Sequence, residues 1–119
     1  MKTYDDDDKN KKVKRQTLRR QFECICMDKS KTISEYFDKT QEIVNALRAC
    51  KDTITDQQVV NKILKTLPQR FDHVVVTIEE TKDSKEMELE VLQHSLEAHE
   101  HIIHEKRHNL EQALQARAF

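Results

Sequence analysis

The residues of this chain best equipped for chemistry are the histidines near its end: His94, His99, His101, His104 and His108. His101 and His104 are spaced i, i+3, and His104 and His108 i, i+4, so on a helix each pair shares a face and could chelate a metal ion. A closed zinc site takes about four ligands, usually from more than one element. No cysteine lies near these histidines in sequence, and His99-Glu100-His101 is not the HEXXH spacing. They read as the solvated face of a polar helix, and no metal or other cofactor is expected. Near pH 6 histidines gain charge, so protonation is expected to weaken any self-association of that helix.

The cysteines Cys24, Cys26 and Cys50 form no CxxC pair, and their odd number without a signal peptide suggests reduced, semi-buried thiols in an intracellular, cytoplasmic protein. Ser34, Ser84 and Ser95 have no local context that would activate a hydroxyl. The chain has no glycine and so no phosphate-cradling loop or nucleophile elbow. The reading is therefore non-enzymatic, with no small-molecule substrate. No apolar run approaches the ~20 residues of a membrane span.

One charged segment could bind phosphates. Lys11, Lys12, Lys14, Arg15, Arg19 and Arg20 make a basic cluster that, with Lys9, is the candidate nucleic-acid contact, with RNA as the alternative partner. The aspartates Asp5 to Asp8 beside it oppose that reading, because they repel a phosphate backbone. They also suit a helix N-terminus, where the macrodipole favours anions.

The elements that would position these residues are helical. In 119 residues, hydrophobic and charged types each make up 36%, with no Gly, one Pro and a net charge of −1. That suits one domain with a modest core, and it excludes the turn-rich all-β classes. Val13, Leu18, Phe22 and Ile25 predict a helix from about Lys12 to Met27. Thr32-x-x-Glu35 is a capping box opening a helix from Ile33 to about Ala49, whose apolar face is Tyr36, Phe37, Ile43, Val44 and Leu47. Thr55-x-x-Gln58 is a second capping box, with Ile54 and Val59 placed as a hydrophobic staple. Pro68 ends the third helix. The run VVVTI has β propensity, but a lone strand would lack a partner, so Phe71 to Ile78 is expected to be helical. Asp83-x-x-Glu86 is expected to cap a last, longest helix reaching toward Ala118. Leu89, Leu96, Ile103 and Leu110 recur there every seven residues, while His99 and Lys106 interrupt the second seam position. The first part of this helix, to about His99, should pack on the domain and the rest should project.

The expected organisation is an acidic and basic leader over 1–11, a helical domain over 12–100 and an extension of the last helix over 101–119. The expected core is Leu18, Phe22, Ile33, Tyr36, Phe37, Val44, Leu47, Ile63, Leu64, Leu67, Phe71, Val75, Ile78, Leu92 and Leu96.

Several stretches carry a resemblance: TLRRQFE (Thr17–Glu23), ISEYF (Ile33–Phe37), VNALRA (Val44–Ala49), ITDQQVVNKILKTLPQRFDHVVVTIEETKD (Ile54–Asp83) and SLEAHE (Ser95–Glu100). In order and spacing the chain resembles the Gag polypeptide of copia-type retrotransposons from about Tyr4 to Gln115. The resemblance implies a capsid-forming segment: helical lobes that pack into a virus-like particle enclosing element RNA. It implies an all-α fold, a small helical bundle resembling a retroviral capsid C-terminal lobe, with a long C-terminal helix. Ile33 to Lys39 would stand where the retroviral major homology region stands, without its usual Gln and Gly and with Lys39 in a place where Arg is common.

Asp5 to Lys9 matches an enterokinase recognition sequence. In the family a Tyr, a short polar stretch and a basic segment precede TLRR, so the resemblance favours reading these residues as native. The family often has Gly after LRA. Here Lys51 stands there, and if the position needs a positive φ the side chain costs about 1 kcal/mol. No Cys-x2-Cys-x4-His-x4-Cys knuckle occurs in the sequence, so a fragment or truncated copy is expected. The implied partner is a second copy of the chain. Val59, taken as exposed, with Ile103 and Leu110 on the last helix, are the candidate self-association contacts.

Overall fold

The computed structural model describes residues 3–81 and 87–117, and side chains from residue 9 onward. The fold is all-α, with no strand among the described residues. The helices are α1 (Thr3–Cys24), α2 (Ile33–Ala49), α3 (Asp56–Thr66), α4 (Asp72–Glu80) and α5 (Leu89–Arg117), with one 3-10 turn, Gln69–Phe71, leading into α4.

α1 differs from expectation at both ends. It starts at Thr3 rather than near Lys12, and no Gly or Pro between those positions breaks a helix. It stops at Cys24 rather than Met27. Beyond it Ile25 and Met27 both turn into the core, and the Met27 N–H is taken by the carbonyl of Thr66 at 3.1 Å.

α2 begins at its expected cap. The Thr32 hydroxyl accepts from the Glu35 N–H at 3.2 Å, but the Glu35 carboxylate accepts from the Thr32 hydroxyl (3.1 Å) instead of reaching the Thr32 backbone. Its far end closes as a Schellman motif: Asp52 N–H bonds to the Leu47 carbonyl and Lys51 N–H to that of Arg48, each at 3.0 Å. The motif places its turning residue in the left-handed region, and Lys51 sits there with φ 65°. The second capping box forms in full, Gln58 N–H to Thr55 Oγ1 at 3.2 Å and Thr55 N–H to Gln58 Oε1 at 2.9 Å.

Pro68 precedes the 3-10 turn, and VVVTI is helical within α4 as expected. The expected cap Asp83-x-x-Glu86 lies outside the described residues. Met87 and Glu88 are not helical, however, and α5 starts at Leu89, later than that cap implies. The helix begins where its apolar stripe reaches the core: Met87 and Leu89 pack against it, and Leu92 and Leu96 are fully inside.

The core draws on every helix, from Phe22 of α1 through Ile33, Phe37 and Leu47 of α2, Ile63 of α3, and Phe71 and Ile78 around α4, to Leu92 and Leu96. Leu18, Leu67 and Val75, expected within it, are only partly buried at its margin. Several polar links tie the elements across. Arg19 forms a fork with Asp52, Nε to Oδ2 at 3.0 Å and Nη2 to Oδ1 at 2.8 Å, joining α1 to the turn after α2. The hydroxyls of Tyr36 and Thr66 join α2 to α3. Thr66 also donates to the Lys62 carbonyl, so Tyr36 is the donor in that pair. The molecule measures 79 × 33 × 18 Å, long because both terminal helices outrun the core.

Candidate functional site

The candidate association surface is on α5. At about 3.6 residues per turn, eighteen residues make about five full turns, so Leu110 repeats the azimuth of Leu92 and Leu114 that of Leu96. Leu92 and Leu96 are buried against the domain, whereas Leu110 is 60% and Leu114 56% exposed. Ile103 lies between these pairs on the same face and is half-buried, and every described residue from His104 to Arg117 is exposed. One apolar stripe thus begins as core and runs off the domain uncovered.

α5 is held at the point of departure. Glu100 Oε2 accepts from the Ile33 N–H at 3.0 Å, satisfying one of the orphan donors at the start of α2. Arg70 braces the same region from beneath. Its Nη1 and Nη2 donate to the carbonyls of Lys29 and Lys31 at 2.9 and 3.0 Å, and its guanidinium carbon stands 4.9 Å from the centre of the Phe71 ring. His99 leans on the other part of that ring, centroids 6.0 Å apart.

The candidate association residues therefore divide. Leu110 and the half-buried Ile103 lie on the open stripe. Val59 does not: it is 1% exposed, because the staple with buried Ile54 turns it inward at the start of α3. Its expected exposure is corrected. Leu114 was missed because a strict seven-residue repeat places Arg117, not Leu114, after Leu110; the wider 3, 4 helical pattern finds it.

The basic cluster is less coherent in space than in sequence. At about 100° per residue, its six candidates spread over more than half the circumference of α1. Lys11, Lys12, Lys14 and Arg20 are exposed, Arg15 is half-buried, and Arg19 is committed to Asp52. The histidines are equally dispersed. His94, His101, His104 and His108 are exposed, His101 pairs with Glu105 (3.1 Å) and His108 with Gln112 (3.2 Å). Among the described residues no group of three or more His, Cys, Asp or Glu side chains is arranged to hold a metal ion. Cys24 and Cys26, expected to be semi-buried, are exposed, while Ile25 and Met27 beside them are the residues that enter the core; Cys50 is buried.

Among known families, the model described as gag-polypeptide of LTR copia-type matches residues 1–112. No match was found among curated proteins or among solved structures.

Proposed function

The chain belongs to the copia-type LTR gag-polypeptide family, and from that premise we propose that it assembles with further copies of itself through the exposed stripe of α5. Its role is structural and Gag-like, in a family whose polypeptide is structural rather than catalytic. One observation carries the proposal: the face that buries Leu92 and Leu96 continues past half-buried Ile103 to Leu110 and Leu114, both more than half exposed among the described residues. Soluble helices carry such a stripe to bury it, and paired helices are the economical way to do so.

The repeating element is apolar at Leu89, Leu96, Ile103 and Leu110, but His99 and Lys106 break the second seam position. Such a seam supports association that is reversible and dependent on concentration, as a particle-forming lattice requires. Leu110→Glu combined with Leu114→Glu tests it. Both side chains lie beyond the core, so the variant should fold with an unchanged thermal midpoint while chemical cross-linking between chains is lost. Cross-linking that persists in this variant would remove the α5 stripe from the interface.

RNA binding through Lys11, Lys12, Lys14, Arg15 and Arg20 is the weaker reading. These cations surround α1 instead of lining one side of it, and the acidic run precedes them.

A further inference from the structure

A hollow of about 460 Å³ opens where the 29–32 loop, the turn at Pro68–Arg70 and α5 meet. Four cations line it, Lys29, Lys31, Arg70 and Arg107, with His104 beside them, against the single carboxylate of Glu100. That carboxylate is already engaged by the Ile33 N–H. Lys31 has a partner in Glu35 at 3.5 Å, but among the described residues neither Lys29 nor Arg107 has an ion-pair partner. In a chain whose net charge is −1, this is a local excess of positive charge held in a concavity.

We propose that this hollow binds a small, multiply charged phosphate-bearing anion. Its charge, not its size, sets it apart from the other surface hollows. Unpaired cations drawn together repel one another, and an anion between them relieves that repulsion and gains charge-assisted hydrogen bonds. Arg70 is pre-set for this, since its guanidinium plane is fixed by two carbonyls and the Phe71 ring and loses little freedom on binding. Arg107 of α5 also lines the hollow.

The positive field is confined. Glu105 and Glu111 flank Arg107 along α5, so the cations do not continue as the track a polynucleotide backbone needs. A compact oligophosphate matches the hollow better than an extended chain does. Because Glu100, Ile103, His104 and Arg107 all line it at the root of the projecting helix, an anion seated there bridges that root to the 29–32 loop.

The test is calorimetric titration of the full chain with inorganic tripolyphosphate at low ionic strength, repeated with a single-stranded RNA oligonucleotide. The wild type should bind one tripolyphosphate saturably. Combining Lys29→Ala with Arg107→Ala should weaken binding at least about tenfold, as loss of two charge-assisted contacts implies. The ligand-free thermal midpoint of this variant should not move, since both side chains are exposed. Lys11→Ala with Lys14→Ala on α1 should leave tripolyphosphate binding unchanged. Absence of saturable binding, or equal weakening by the α1 pair, would overturn the assignment. So would RNA binding that exceeds tripolyphosphate binding and depends on Lys29 and Arg107, since the occupant would then be a polymer backbone.

Discussion

Glu100 Oε2 stands 3.0 Å from the backbone nitrogen of Ile33, across sixty-seven positions of sequence. A side chain of the last helix thus caps the first turn of the second, and it does so one turn before α5 leaves the domain. The bond satisfies a donor that the helix cannot satisfy itself and places a negative charge at the positive end of the dipole. Glu100→Ala should cost about 1–2 kcal/mol by urea denaturation, the range of lost caps and charged hydrogen bonds. Glu100→Gln, which keeps an acceptor but not the charge, should cost less. A stability unchanged in Glu100→Ala would mean that the docking of α5 does not depend on this bond.

Arg19 and Asp52 provide the second long-range link. The Asp52 side chain is only 7% exposed, and it also accepts from the Ile54 N–H at 3.0 Å. Removing Arg19 leaves that carboxylate nearly buried and without its counter-charge. Arg19→Ala should therefore cost about 2–3 kcal/mol in a thermal or urea melt. Arg19→Lys should recover only part of it, because an ammonium cannot reproduce the two-toothed fork. Full recovery by lysine would show that the charge matters and the geometry does not.

At the end of α2, Lys51 holds φ 65° in the Schellman turn. A Cβ is unfavourable there, so Lys51→Gly should raise stability by about 1 kcal/mol, while a β-branched Lys51→Val should lower it. A loss of stability in the glycine variant would contradict the account.

Tyr36 supplies a pH dependence. Burial raises its pKa above the ordinary 10.0, with the Thr66 hydroxyl bond opposing that shift. The folded state holds this proton more tightly than the unfolded chain. Its contribution is therefore complete below pH 10.0 and is lost as pH rises through the folded value, so stability should fall on the alkaline side. Tyr4→Phe leaves Tyr36 as the only tyrosine, and the phenolate absorbance of that variant should appear above pH 10.0 when folded and near 10.0 in denaturant. Equal titration in both states would contradict the burial argument.

What could be read from sequence divides along the range of the forces involved. Caps and breakers act over a few residues, so Thr32, Thr55-x-x-Gln58 and Pro68 marked their boundaries; the positive φ at Lys51 was pointed to only by the family resemblance, in which Gly is common at that place. Periodicity located most of the core and the departure of α5 from it. Val59 was misplaced because exposure at the start of a helix cannot be read from its capping box alone, and only the fold shows that it joins Ile54 in the core. The end of α1 was misjudged for a related reason: the Met27 N–H finds its acceptor on Thr66, in another helix. The links Glu100 to Ile33 and Arg19 to Asp52 have no local signature, since one joins a carboxylate to a distant backbone N–H and the other joins two ordinary charged side chains through the fold.

The most direct test of the central claim is the light-scattering mass of the full chain over a concentration series at neutral pH and fixed salt. The stripe that runs from half-buried Ile103 to exposed Leu110 and Leu114 predicts a mass that rises from the monomer value of 14.2 kDa to that of a dimer or larger species. A mass that stays at 14.2 kDa to high concentration would contradict self-association through α5.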